Sequence, residues 1–197
     1  GAIVLFLFVI SLFLTKGPVR AWIISATIFS VLLSWGRNFM PLTNFFLDYF
    51  HGYNKFRTVS MILVIAGFTI PLLASIGLNK IFSEEIDKVV WKKAMIWSVA
   101  LTAGISLVFF LIPGLSGSFV SASDSQMPEW IRNGLVSDRT SFLRSDALRS
   151  FALILAAALV LWVHVAKKIQ RKYALLIIGK LILVDMWGVN KRYLNDN

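Results

Sequence analysis

Residues 58–79 read Thr58-Val-Ser-Met-Ile-Leu-Val-Ile-Ala-Gly-Phe-Thr-Ile-Pro-Leu-Leu-Ala-Ser-Ile-Gly-Leu-Asn79, with no ionisable side chain. An α-helix needs about 20 apolar residues to cross roughly 30 Å of hydrocarbon, and this run supplies them. Gly67 and Pro71 lie inside it; in a bundle, neighbouring helices satisfy the carbonyl that a proline frees, so the stretch reads as one span kinked at Pro71. Outward from it, charge is again absent over 94–115 and 150–166, and over the shorter runs 21–35 and 1–15. The two short runs become usable if flanking cations such as Arg20 and Arg37 snorkel. A sixth span, 174–187, carries Lys180 and ends near Asp185. Lys180 is expected to face the bundle interior or to snorkel, and Asp185 to sit at the far interface.

Composition agrees. Of 197 residues, 57% are apolar and 15% charged, and the mean hydropathy is +0.75. Soluble chains carry about 25% charged residues. The absence of cysteine excludes disulfide scaffolds, zinc–thiolate sites, iron–sulfur clusters and cysteine nucleophiles. The net charge of +10 fits a chain that uses its cations to orient itself in a bilayer, and no nucleic-acid partner is expected. The expected fold is therefore all-α, a polytopic bundle of about six spans with short interfacial helices. Residues 1–187 form one transmembrane domain, and 188–197 start an outward-facing segment. Because Gly1 opens abruptly on an apolar run, with no basic leader, the chain reads as part of a longer one.

Six spans place their loops alternately on two sides. Segments 16–20, 80–93 and 167–173 hold 10 Lys/Arg in 26 residues, whereas 36–57, 116–149 and 188–197 hold 9 in 66. Dense short basic loops belong in the cytoplasm, so the longer loops and the C-terminus are expected to face outward.

The first outward loop, 36–57, is the most informative. Pro41 suits a first helical turn and Gly52 a stop, and Leu42, Phe45, Phe46, Tyr49 and Phe50 fall on one face between them. That pattern describes an amphipathic helix at the membrane surface. Tyr53-Asn54-Lys55-Phe56-Arg57 then interleaves cations with aromatic rings. Two readings stay open. Arg37, Lys55 and Arg57 either touch lipid headgroups within an aromatic belt, or form a cationic pocket for a phosphate or diphosphate. In the second outward loop, Pro128 to Arg132 reads as a short surface helix. Ser137 and Asp138 read as the cap of another helix continuing into the fifth span, with Asp146 and Arg149 as a local ion pair. On the basic side, Ser83 reads as a helix cap followed by acids. Motifs for nucleotide binding, zinc hydrolysis or a serine nucleophile are absent, and His51 and His164 are too isolated to form a metal site. No cofactor is evident, and the sequence does not decide whether a divalent metal is needed.

Three stretches resemble the YfhO family of bacterial multi-span membrane proteins. These are Gly36-Arg-Asn-Phe39 with Tyr53-Asn-Lys-Phe-Arg57, then Asp138-Arg-Thr-Ser-Phe-Leu-Arg-Ser-Asp-Ala-Leu-Arg149, then Asp185-Met-Trp-Gly-Val-Asn-Lys-Arg-Tyr-Leu-Asn195. With the spans between them they cover most of the chain, and Tyr-Asn-Lys-Phe-Arg is the most specific element. Lys180 departs from the family pattern. YfhO-like proteins are similar to the GT-C glycosyltransferases, which take sugars from polyprenyl-phosphate donors. The resemblance implies a site on the outer face of the bacterial cytoplasmic membrane. There Arg37, Lys55 and Arg57 would neutralise the leaving phosphate, and Tyr53 and Asn54 would position it. The catalytic carboxylate would lie upstream of Gly1, so no catalytic residue is assigned within this chain. The implied partners are membrane lipid and the polyprenyl-phosphate sugar. The alternative is a transporter or lipid-handling protein without covalent chemistry, in which Gly67 and Pro71 mark a broken helix and Lys180 is a coupling charge.

Overall fold

A computed structural model describes residues 1–50, 59–121, 124 and 126–193. These residues fold into α1 (Ala2–Leu14), α2 (Pro18–Ser34), α3 (Met40–Tyr49), α4 (Leu63–Ser83), α5 (Lys88–Val99), α6 (Ile105–Leu111), α7 (Glu129–Val165) and α8 (Arg171–Tyr193). Short 3-10 turns at Gly36–Phe39, Val59–Ile62 and Pro113–Ser116 punctuate them, and a π-helical turn, Ala100–Gly104, joins α5 to α6. No strand occurs among the described residues, and the fold is the all-α bundle that the charge-free runs imply.

Four helical stretches are long and apolar enough to cross a membrane: Ser60–Ser83, Lys88–Leu111, Glu129–Val165 and Arg171–Lys191. The chain is a membrane protein. α1 and α2, with 13 and 17 residues, rise only about 20 and 26 Å at 1.5 Å per residue. Helix ends differ from the limits of the apolar runs because a helix continues past the hydrocarbon while its backbone bonds hold. The run 94–115 belongs to a helix that starts at Lys88, and 150–166 is the far half of the 37-residue α7. Helix α8 likewise begins at Arg171 and continues through 188–193.

α1 is the axis of the bundle. Its buried residues Ile3, Phe6, Leu7, Ile10, Ser11 and Leu14 repeat at three- and four-residue spacing, the spacing that keeps one helical face turned inward. The core around them draws Ala74 and Ile81 from α4, Trp91 and Met95 from α5, Ile154 and Leu161 from α7, and Ile178 from α8. α2 leans on α4, where Thr27 and Thr69 share a hydroxyl hydrogen bond of 2.7 Å and Ser30 Oγ donates to the Ile62 carbonyl at 2.6 Å. Rising numbers on α2 meet falling numbers on α4, so those two helices are antiparallel and α1 runs parallel to α4.

The loops therefore gather at two ends. At one end, Lys167 Nζ reaches Glu85 Oε1 at 2.7 Å, tying the α4–α5 turn to the α7–α8 turn. Arg20 Nη1 also donates there to the carbonyls of Leu12 and Thr15 at 3.0 and 3.1 Å, closing the C-terminus of α1. At the other end, Asp185 meets the start of α1 and Arg149 of α7. This is the alternation that the loop charges require. Below, the two are called the basic end and the opposite end.

Two local expectations are corrected. Ser83 closes α4, with its Oγ bonded to Asn79 Oδ1 at 3.3 Å. The cap of α5 is Asp87, whose Oδ1 accepts the N–H groups of Val89 and Val90 at 2.8 and 3.0 Å; a carboxylate serving two first-turn donors outweighs a hydroxyl four residues earlier. Helix α7 also starts at Glu129 and passes through Ser137 and Asp138 without a break. No proline interrupts it, and Glu129–Arg132 supports its first turn at 3.7 Å. Asp185 is buried among the helices at the opposite end of the bundle. Pro71 lies within α4, which remains helical through it and through Gly67.

The tightest crossing is between α1 and α4. A Cβ on Gly77 would fall 1.8 Å from Ser11 Oγ and 3.0 Å from Ser11 Cα, so turning the serine away would not make room. Small residues at such crossings let helices approach closely in lipid, where packing replaces the hydrophobic drive. Gly77→Val is predicted to cost about 1–3 kcal/mol and to lower the thermal midpoint in detergent. Gly67→Ala, where a Cβ meets nothing within 4 Å, should hold or raise it. Equal midpoints for Gly77→Val and the parent chain would contradict the crossing.

Candidate functional site

Of the residues singled out in the sequence, Tyr53, Asn54, Lys55 and Arg57 lie outside the described residues, as does His51. Arg37 belongs to the turn Gly36–Phe39. The surface helix ahead of them is present as α3, which ends at Tyr49 rather than near Gly52 and buries no residue. Its aromatic face is a connected cluster. Phe45 packs on Phe46 and Tyr49 with ring centroids 5.6 and 5.1 Å apart, Phe46 stacks on Phe50 at 4.7 Å, and Phe29 of α2 meets Phe46 at 5.7 Å. Thr43 Oγ1 donates to the Gly36 carbonyl at 2.7 Å, anchoring the start of α3. Exposed rings on a helix attached to the bundle end are suited to the membrane interface.

A polar cleft of about 520 Å³ opens at the opposite end of the bundle, between the start of α1, the π-helical turn with α6, and the facing parts of α7 and α8. Its polar lining is Thr102, Ser106, Asp146, Arg149, Ser150 and Asp185, with Leu5, Leu101 and Ile105 among its apolar walls. The π-helical turn widens the backbone, a distortion common at functional sites. Thr102 and Ser106 bond back to the carbonyls of Ser98 and Thr102 at 2.7 and 3.0 Å, so neither hydroxyl proton is orphaned against the apolar walls. Asp185 caps α1 from a distance, its Oδ2 accepting the Ile3 N–H at 3.1 Å and its Oδ1 facing Arg149 Nη2 at 3.4 Å. A Cβ on Gly188 would lie 2.7 Å from Arg149 Nη1, so the glycine makes the notch that holds the guanidinium. Arg149 Nε is buried with no hydrogen-bond partner among the described residues, an unmet donor beside the cleft.

The same end carries a second device, which holds the loop between α6 and α7. Arg139 grips Asp124 with both terminal guanidinium nitrogens, the Nη2–Oδ1 contact being 3.1 Å, and Nη1 also donates to the Phe119 carbonyl at 2.7 Å. The Ser121 N–H donates to Asp124 Oδ2 at 2.7 Å, and the Asp124 side chain is buried. The Arg139 hydrogen bond, followed by the Ser121 N–H, holds the Asp124 carboxyl below the usual carboxylate range. Asp124 is 15 residues from Arg139, in the loop before α7, so helical spacing gives no signal for the pair.

Beyond the local spacing with Asp146, Arg149 reaches Asp185, 36 residues on. His164 packs its ring on Phe82 at 4.6 Å, and among the described residues no group of three acidic or histidine side chains is placed to hold a metal ion. Lys180 is exposed on α8, and no carboxylate lies within salt-bridge distance of it among the described residues. No protein-family model, curated protein or solved structure matches this chain.

A lowered carboxyl pKa means the lock strengthens the folded loop above the ordinary value of about 3.9 and is lost as pH falls through the depressed one. Proteolytic nicking within 112–128 is predicted to stay slow from neutral pH down to about 4 and to rise below it. Asp124→Asn should raise nicking several-fold at neutral pH. Unchanged nicking in that variant would remove the lock from the account.

Proposed function

We propose that the chain is the membrane-embedded part of a lipid-linked sugar transferase, working at the end of the bundle that bears the Asp146–Arg149–Asp185 cleft. The observation that carries this reading is the mixed character of that cleft. Hydroxyls, carboxylates and a guanidinium lie against aliphatic walls, a lining that suits an amphiphile with a polar head and a hydrocarbon tail. Chain direction gives further support. The turn Gly36–Phe39, which holds Arg37, follows the end of α2 and so belongs to the same end as the cleft. The resemblance of these stretches to the YfhO family supplies the reaction class.

In that reaction an acceptor hydroxyl attacks the anomeric carbon of the sugar. A new C–O bond forms, the bond from that carbon to the phosphate oxygen breaks, and polyprenyl phosphate leaves with the bonding electrons. The hydroxyl proton passes to a carboxylate, as the resemblance implies. Arg37, Lys55 and Arg57 stabilise the charge growing on the phosphate, and Tyr53 and Asn54 position it. Preorganised cations of this kind are often the largest catalytic contribution. Donor and acceptor meet on the outer face of the bacterial cytoplasmic membrane. Coupled transport is the weaker reading, since Lys180 is exposed and α4 continues through Gly67 and Pro71 rather than breaking there.

The test is mass spectrometry of cell-envelope glycans and lipid-linked sugars in cells carrying the full-length gene, its deletion, or single variants. Deletion should remove one glycan and accumulate its lipid-linked donor. Arg57→Ala should lower transfer by about 10²-fold or more, while Lys180→Leu should leave it intact. An unchanged glycan profile in the deletion strain would overturn the proposal.

A further inference from the structure

The basic end holds a second cleft, of about 580 Å³, between the α4–α5 turn and the α7–α8 turn. Its charged lining comprises Glu84, Glu85, Lys88, Lys167 and Lys168. The acids are already engaged: Lys80 lies 3.3 Å from Glu84, and Lys167 lies 2.7 Å from Glu85 across the mouth. The Lys167 hydrogen bond and charge hold the Glu85 carboxyl below its usual range, so the strap stays ionised at neutral pH. The neighbouring acid Asp87 is occupied by the first-turn N–H groups of α5.

Lys88 and Lys168 are different. Both are exposed and line the cleft, and neither has a carboxylate within salt-bridge distance among the described residues. Counted over 80–93 and 167–172, eight Lys/Arg face three acids, so the field over the cleft is positive and attracts anions at headgroup level. The inner wall is apolar, with Ile81, Phe82 and Ile169 leading from the polar mouth toward the bundle core. His164 stands at this wall. Its Nδ1 is 3.1 Å from the Ile169 carbonyl; a carbonyl can only accept, so Nδ1 carries the proton and Nε2 is the nitrogen left to meet a ligand.

We propose that this cleft seats the phosphodiester headgroup of an anionic phospholipid. Lys88 and Lys168 bind the phosphate oxygens, and the acyl chains leave the cleft for the bilayer. The site is separate from the sugar-transfer reading, since it lies at the other end of the bundle and needs no reaction there.

Native mass spectrometry of the full chain, released from detergent micelles with equal added phosphatidylglycerol and phosphatidylcholine, tests the site. The phosphatidylglycerol adduct should dominate. Lys88→Gln and Lys168→Gln should each weaken it about fivefold, the effect of roughly 1 kcal/mol per surface cation. Lys172→Gln, outside the cleft lining, should weaken it less than twofold, and a thermal midpoint measured on each variant should stay at the parent value. Equal adducts for the two lipids, or equal losses for all three lysines, would overturn the site in favour of diffuse attraction. Displacement of the lipid by low-millimolar inorganic phosphate would overturn it in favour of a soluble anion.

Discussion

A bilayer core contains no water to satisfy a backbone N–H or C=O, and every feature of this chain follows from that constraint. α1 is the clearest case. It carries only apolar and hydroxyl side chains and is wrapped by α4, α5, α7 and α8. One first-turn donor, the Ile3 N–H, is met by Asp185, and the carbonyls of Leu12 and the capping Thr15 are met by Arg20. Its hydroxyls are turned back onto its own carbonyls, Ser11 onto Leu7 and Thr15 onto Ser11. A short apolar helix becomes a stable axis because other helices complete its ends.

Charge is then pushed to the two ends, and each end uses it differently. At the basic end, short turns carry lysines whose few acidic neighbours are already paired. At the opposite end, buried carboxylates and arginines make long-range links, Asp185 with Arg149 and Asp124 with Arg139. Buried pairs of this kind contribute less to stability than their Coulomb energy implies, because desolvation offsets much of it. Their value is positional, fixing a loop, the start of α1 and the facing stretches of α7 and α8 around a cleft in an otherwise apolar bundle.

Much of the fold was legible because hydrocarbon excludes charge, and exclusion leaves a mark at every residue of runs such as 58–79 and 94–115. Helix ends were less legible. The signals at Ser83 and Asp87 are four residues apart, and only the geometry of two N–H groups on one carboxylate decides between them. At Ser137-Asp138 the cap signal was real chemistry without effect, since nothing upstream stopped the helix from starting at Glu129. The candidate site was the least legible part. Arg149 was read as a neighbour of Asp146 because helical spacing is all a sequence offers, and its link to Asp185 exists only once α7 and α8 pack. Tyr53, Asn54, Lys55 and Arg57 remain a matter of sequence resemblance, while Thr102 and Ser106 became visible only through the π-helical turn that brings them to the cleft.

The central claim is that the bundle has two ends on opposite sides of a membrane, with the Asp185 end outward. With no native cysteine in the chain, single cysteines at the exposed positions Ser118 and Gln170 can be challenged by a membrane-impermeant maleimide. The account predicts that Ser118→Cys reacts in intact cells and that Gln170→Cys reacts only after permeabilisation. Reaction of both in intact cells, or of Gln170→Cys alone, would contradict it.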